Sequence, residues 1–307
     1  MKISLRQLEI FAAIAKTENV SRAAGQLAMS QSAASNALVE LEKAYDCPLF
    51  DRIGKSLHLN ATGKGLLPLA ERVLSQARDI ESYLAGDQLG PVSLGATLTI
   101  GNYLATLIIG DYMREHPGAV VNLQVANTDA IVRRLLNFEC DLGLIEGDIG
   151  HPDLITETWM DDELVIFCAP DNPLAADGEV SSQRLAREFW ILRERGSGTR
   201  SQFDRVITPQ LGQFNLRLEL EHTEAIKRAV ESGLGIGCLS RLSLREALRR
   251  GSVAEVRAPQ FNLKRRFSIA RHRLRHPSSA LLALHALCRS FTRGASDTGS
   301  LQLPFIP

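Results

Sequence analysis

Residues 5–52 read LRQLEIFAAIAKTENVSRAAGQLAMSQSAASNALVELEKAYDCPLFDR, and the spacing of apolar positions in this stretch decides the fold. Leu5, Leu8, Phe11, Ala12 and Ala15 recur at helical steps, the stripe of a first amphipathic helix. Ser21 is suited to cap a short second helix whose Ala23, Ala24 and Leu27 face inward. The turn Ala28-Met29-Ser30 follows, and Ser30 can cap a third helix running to about Tyr45. Ala34, Leu38, Leu41 and Ala44 form its buried stripe, leaving Gln31, Ser32, Ser35 and Asn36 as a small, polar, uncharged opposite face.

Three short helices joined by tight turns are the pattern of a helix-turn-helix, whose second element lies in the DNA major groove with its N-terminal residues at base edges. That task needs small residues for close approach and amides or hydroxyls that both donate and accept, which Ser30, Gln31, Ser32, Ser35 and Asn36 supply. On spacing alone, the same stripe reads equally well as a solvated helix face. Downstream, apolar–polar alternation around Gly54-Lys55-Ser56 predicts a small β-hairpin, a wing, on which Arg52 and Lys55 would neutralise phosphates without reading sequence.

Working outward, Thr62 is placed to cap a long helix reaching about Ala85. Its Ala70, Val73, Ala77, Ile80 and Leu84 alternate steps of three and four, a short coiled-coil-like seam, with Pro68 inside the early turns. Gly86 to Pro91 reads as a linker. Beyond it the texture becomes alternating strands and helices. Strands are expected at 92–100, 120–126, 141–145, 164–169, 189–193, 216–221, 235–240, 253–256 and 266–270, and helices at 102–115, 128–138, 223–232 and 242–250. That alternation predicts an α/β domain with largely parallel sheets, dividing into two lobes. The end of the chain is small, polar and proline-containing, and reads as a loose tail over 295–307.

Composition bounds the function without choosing it. Lys+Arg and Asp+Glu each number 35, so the net charge is zero, a mild argument against a nucleic-acid partner. Residues 1–65 hold eight Lys/Arg against six Asp/Glu, which softens it. Cys47, Cys140, Cys168, Cys238 and Cys288 are scattered, never in C-x-x-C spacing, and argue against a disulfide framework or a zinc site. They read as buried small hydrophobes, with a redox-sensing pair as the alternative. No signal peptide and no run of about 18 apolar residues is present, so a cytoplasmic protein with no membrane span is expected.

The stretch quoted above, continued by LNATGKGLL, resembles the N-terminal signature of the LysR-type transcriptional regulators. The likeness runs through Leu5, Phe11, Ser21, Ala23, Ala24, Leu27, Ser30, Gln31, Ser35, Leu41, Glu42, Leu49, Phe50, Arg52, Thr62 and Gly63. Ser32 and Asn36 stand where many members have Pro and Arg, which bears on the DNA sequence preferred. The resemblance implies an α/β architecture: an all-α winged helix-turn-helix over 1–61, a dimerising linker helix and hinge over 62–91, and a two-lobed effector domain over 92–294 similar to type 2 periplasmic binding proteins. Lobe one would be 92–163 plus 268–293, and lobe two 164–267. It also implies double-stranded promoter DNA, a small-molecule inducer in the cleft, homodimers or homotetramers, RNA polymerase as a further partner, and no cofactor, metal or catalytic residue.

Four strand-to-helix junctions carry hydroxyl or amide groups: Thr97/Thr99/Asn102, Asn127/Thr128, Ser197/Thr199 and His222/Thr223. Helix N-termini with such hydroxyls make anion sites, and Arg200 could add a formal charge, although ordinary N-capping explains each junction taken singly. With the cleft the family implies, Thr97, Thr99 and Thr199 lead the effector-site candidates. The phrases TIGNYL, NTDAI, DLGLIEG, WILRERGSGTR and HTEAIKRAVESGLGIGCLS resemble a LysR subgroup tied to sulfur assimilation, which implies sulfite or a related oxyanion as ligand. Glu146 opposes this if its carboxylate enters the cleft. Gly233-Leu234-Gly235-Ile236-Gly237 follows a predicted helix and precedes a strand, the wrong order for a dinucleotide turn, and reads as a helix C-cap. A solute-binding module and an enzyme using the cleft are the rival classes. No acid/base pair or nucleophile constellation supports the latter.

Overall fold

The computed structural model describes residues 2–53, 56–84, 89–147, 149–291, 295 and 297–302. The chain forms two compact units, one of residues 1–91 with 273–282 and one of residues 92–272 with 283–307.

In the first unit, α1 (Leu5–Thr17) opens on a capping box between Ser4 and Gln7 and ends on Glu18 in the left-handed region. Next come α2 (Val20–Gln26), α3 (Gln31–Tyr45), the hairpin of β1 (Phe50–Ile53) and β2 (Ser56–Leu59), and the long α4 (Ala61–Leu84). This is a winged helix-turn-helix followed by a helix. Phe11 is fully buried and meets the edge of Phe50 at 5.9 Å between ring centroids. Burying one such side chain contributes about 2–3 kcal/mol. Leu8, Ile14, Ala23, Ala24, Ala34, Leu38 and Leu41 complete the core around it. The wing hairpin is fixed by Glu18, whose carboxylate accepts from the Leu59 N–H at 3.2 Å and meets His58 Nδ1 at 3.1 Å.

Two caps differ from expectation. The N-cap of α2 is Asn19, not Ser21, and its Oδ1 accepts from the Arg22 N–H at 3.0 Å. At α4 the Asn60 Oδ1, not a Thr62 hydroxyl, accepts from the Gly63 N–H at 2.9 Å. Both helices therefore start earlier than their hydroxyl residues suggest, and Ser21 and Thr62 lie exposed in the first turns. On α4 the expected seam divides. Ala70 belongs to the core with Leu74, whereas Val73, Ile80 and Leu84 are uncovered in the single chain, Leu84 at 77% exposure. A buried Glu71 on α4 takes Lys16 of α1 at 2.6 Å, tying helix to domain.

The second unit is built on a nine-stranded sheet among the described residues, ordered β4-β3-β5-β11-β6-β9-β7-β8 with the short β10 on β6. In its first half, β3 (Val92–Thr97), β4 (Val121–Ala126) and β5 (Leu142–Glu146) are mutually parallel around β3. Helical turns α5 (Leu98–Ile100), a π-turn at Gly101–Ala105, α6 (Thr106–Glu115) and α7 (Thr128–Leu136) connect them. The second half holds β7 (Phe189–Arg193), β8 (Asn215–Leu220), β9 (Ile236–Ser240) and β10 (Ala254–Glu255), with α8 (Ser182–Ala186), α9 (Gly198–Val206), α10 (Thr208–Leu211), α11 (Thr223–Glu231) and α12 (Arg241–Arg250). Two long antiparallel strands, β6 (Leu154–Cys168) and β11 (Lys264–His272), carry the chain between halves and back, so they must oppose each other; α13 (Ser279–Ser290) follows.

On β6 the residues alternate between two cores. Leu164, Ile166 and Cys168 pack with Trp190 and Phe203, while Val165 and Phe167 pack with Ile191 and Leu239. The first strand ends at Thr97 rather than Ile100, because the apolar run Leu98–Ile100 is a buried helical turn, an ambiguity that a short apolar segment leaves open. The expectation of a loose tail is corrected for its described residues. Thr298 and Leu301 are buried, and the Thr298 N–H donates to the Asp161 carbonyl at 2.9 Å.

Candidate functional site

The exposed edge of α3 is the first candidate. Gln31, Ser32 and Asn36 are exposed and Ser35 is half-buried, while Ala34, Leu38 and Leu41 hold the other face in the core. Ser30 caps the helix, its Oγ accepting from the Ala33 N–H at 3.2 Å and lying 3.1 Å from Ser32 Oγ. No acidic residue sits in the first turn, so the partial positive charge of the helix start is unopposed there. Of the two wing cations expected to meet phosphates, Arg52 lies on β1 opposite Leu57, and Lys55 falls outside the described residues.

The second candidate lies where the halves of the α/β unit meet. Glu146, the last residue of β5, is 2% exposed and is the hub. Its Oε1 accepts from the Thr99 N–H at 2.7 Å, and its own N–H donates to Thr97 Oγ1 at 3.1 Å. From the other half, the Thr199 hydroxyl donates to Glu146 Oε2 at 3.1 Å. Arg265, at the start of β11, brings Nη1 to within 2.9 Å of Glu146 Oε2 and 3.0 Å of Thr199 Oγ1, while its Nε donates to Asp162 Oδ2 at 2.8 Å. Asp162 accepts in turn from Ser240 at 2.7 Å and Thr298 at 2.6 Å. Burial alone would raise the Glu146 pKa, but the charges of Arg265 and Arg193 and the Thr99 donors outweigh it and hold the carboxyl below its ordinary range. The carboxylate expected to repel an anion is thus already matched by a buried guanidinium.

Backbone approach is close here. A Cβ on Gly198 would sit 2.2 Å from the Glu146 carbonyl oxygen, so only glycine lets the start of α9 come this near β5. The Gly198 N–H donates to Thr128 Oγ1 at 3.0 Å and the Asp129 N–H to the Gly196 carbonyl at 3.1 Å, two further bonds between the halves.

Beside this network opens a cavity of about 320 Å³ whose lining includes Thr128, Glu146, Arg205, Lys264, Arg265 and Arg266. Arg265 Nη2 is buried and has no hydrogen-bond partner among the described residues. Arg265 is offset by Glu146 and Asp162, and the further cations Arg205, Lys264 and Arg266 meet no other carboxylate in the lining, which makes this pocket receptive to an anion.

The structure therefore gathers Thr97, Thr99, Glu146 and Thr199 into one cluster, with Thr128 beside it. It does not bring the rest. Arg200 is turned to Asp204, Glu219 and the Arg193 carbonyl, and the two carboxylates hold its pKa above the ordinary value against the effect of burial. Asn102 and His222 are exposed. Ser197 begins α9 without a side-chain capping bond, and Thr223 is buried with its Oγ1 unpartnered among the described residues. Sequence reasoning missed Arg265 and Asp162. A signal existed: in Lys264-Arg265-Arg266-Phe267, Arg265 shares the inward parity of Phe267 and Ile269.

Comparison with known proteins identifies the family of both units. Residues 5–64 match the family described as bacterial regulatory helix-turn-helix protein, lysR family, and residues 85–293 match the LysR substrate binding domain. An uncharacterized HTH-type transcriptional regulator of Escherichia coli strain K12, YeiE, is 43% identical over 281 residues, covering 92% of this chain and 95% of its own. Among solved structures, a full-length OxyR variant from Pseudomonas aeruginosa superposes with a TM-score of 0.73 at 23% identity, over 98% of this chain and 99% of the other. The Synechocystis CcmR regulatory domain in complex with 2-PG gives a TM-score of 0.62 at 28% identity, over 67% of this chain and 98% of the other.

Proposed function

The chain belongs to the LysR family of transcriptional regulators, and from that premise we propose that it is a promoter-binding regulator whose occupancy is set by a small oxyanion held between the halves of its α/β unit. The observation that carries the DNA-binding part is the uncharged amide-and-hydroxyl edge of α3, which stands free of the protein's own interior. Gln31 and Asn36 suit bidentate bonds to adenine, and Ser21, Ser30, Ser32 and Ser35 allow the close approach those bonds require. Arg52 and Lys55 of the wing add phosphate contacts that fix register. The uncovered Val73, Ile80 and Leu84 of α4 form an apolar face that a second copy would cover, giving the dimer, and through further contacts the tetramer, that a two-half-site operator calls for. The protein works in the cytoplasm, where it meets promoter DNA and RNA polymerase.

For the ligand, the supporting observation is Arg265 Nη2, a buried donor without a partner among the described residues, in a pocket also lined by Arg205 and Arg266. An oxyanion such as sulfite would satisfy it, with Thr128 and Ser201 supplying hydroxyls. That a CcmR regulatory domain was solved with the small molecule 2-PG supports a ligand-holding role for this fold. Binding would shift the angle between halves, and coupling of about 1–3 kcal/mol suffices to change promoter occupancy several-fold.

The test is a gel shift on the intergenic region beside the gene, with and without millimolar sulfite, sulfate or thiosulfate. A specific shift altered by one oxyanion, and insensitive to it in Arg265→Gln, supports the reading. A specific shift indifferent to every oxyanion removes the ligand class, and no specific shift removes the regulator reading itself.

A further inference from the structure

The last described residues of the chain return to the point where β6 passes from one half of the α/β unit to the other. Asp161, Asp162 and Glu163 mark that passage, since β6 pairs with β11 through Glu163 and with β9 from Leu164 onward. Thr298 grips the passage twice. Its N–H donates to the Asp161 carbonyl at 2.9 Å and its hydroxyl to Asp162 Oδ1 at 2.6 Å. From the second half, Arg245 on α12 closes on the same segment, with Nη1 donating to the Leu301 carbonyl at 2.6 Å and Nη2 to those of Thr298 and Gly299 at 2.7 Å each. Asp297 braces the turn through the Ser300 N–H at 2.9 Å. In sequence the segment follows α13, whose Cys288 carbonyl accepts from Trp159 Nε1 at 2.7 Å and whose His285 meets Glu157 at 2.5 Å, both on the first-half stretch of β6.

One end of this strand of contacts is thus anchored in the first half and the other on α12 in the second. We propose that residues 297–302 are a latch, a third connection across the passage beside β6 and β11, that holds the two halves at their resting angle. A hinge made of two crossing strands is soft, because a few residues at the crossing absorb the rotation. A fork of charged hydrogen bonds fastened on both sides stiffens it. The latch also ends on Asp162, the carboxylate that positions Arg265, so it bears on the hub through that residue.

Hydrogen exchange of the full chain without ligand tests this, since the bonds of the Asp129 and Gly198 amides among the described residues run across the halves. In Arg245→Gln and in Thr298→Val, peptides covering 127–130 and 196–199 should exchange about tenfold faster, with α1 unchanged. Faster exchange confined to 161–164 and 297–302, with the two cross-half peptides at wild-type rates, would overturn the latch. If Arg245→Gln also loosens β7 and β9, α12 packing has been lost. Thr298→Val, which deletes one hydroxyl, then decides on the same peptides.

Discussion

Thr199, in the first turn of α9, donates its hydroxyl to Glu146, at the end of β5, across 3.1 Å, so the two halves of the α/β unit are joined side chain to side chain. Arg265 touches both partners, at 3.0 Å and 2.9 Å, and turns a single hydrogen bond into a buried charged triangle. Such a cluster is costly to desolvate and still more costly to break, because removing one partner leaves the other charge uncompensated.

That cost makes the first prediction. Glu146→Gln should destabilise the α/β unit by about 3 kcal/mol at neutral pH. Urea unfolding followed by tryptophan fluorescence reports this unit alone, because Trp159 and Trp190 both lie in it. The folded carboxyl titrates below its ordinary 4.5, so its contribution is fully present above about pH 4.5 and is lost as pH falls through the lowered value. The wild type should therefore lose stability on acidification more steeply than Glu146→Gln. Parallel pH profiles would show that the carboxylate is not held by this network.

How much of this was legible in the sequence follows the range of the interactions. The start of α3 was plain, because Ser30 and the Ala34/Leu38/Leu41 stripe act within a few turns of one helix. The junction threonines were visible too, as hydroxyls placed where strands give way to helices. The Arg265–Asp162 pair was not, since it joins residues 103 apart and depends on the register of β6 against β11. The first part of β6, Ile155 to Glu163, is crowded with Thr, Asp and Glu, and lacks the apolar run by which its second part is recognised.

The misread caps give the second prediction. Asn19 and Asn60 each satisfy a helix-start N–H, whereas Ser21 and Thr62 lie exposed two residues further on. Asn19→Ala and Asn60→Ala should each cost about 1 kcal/mol, with Ser21→Ala and Thr62→Ala near neutral. Thermal unfolding followed by circular dichroism would check this, and the opposite ranking would restore the hydroxyls as caps.

The cysteines give the third. Cys140, Cys168, Cys238 and Cys288 are buried, and burial pushes the thiol of Cys168 up to about 11 and those of Cys238 and Cys288 up to about 12. Thiolate is the reactive species, so at pH 8 these groups should resist a thiol reagent until the protein unfolds. Only half-buried Cys47 should react in the native state. Two fast thiols that vanish together after peroxide would instead establish the redox pair.

The exposed polar edge of α3 yields the most direct test. Gln31 is exposed, carries no charge and sits in the first turn of α3, so on the proposed reading its amide would meet one base pair. A bidentate Gln–adenine contact is worth about 1–3 kcal/mol against a wrong base. Gln31→Ala should thus weaken specific promoter binding about tenfold to a hundredfold, while non-specific binding and its salt dependence, which come from phosphate contacts, stay as they were. Fluorescence anisotropy on the operator and on a scrambled duplex over a salt series separates the two terms. An equal loss on both duplexes would mean that Gln31 supports the fold or the backbone contact rather than reading a base, and the groove-facing assignment of α3 would have to be abandoned.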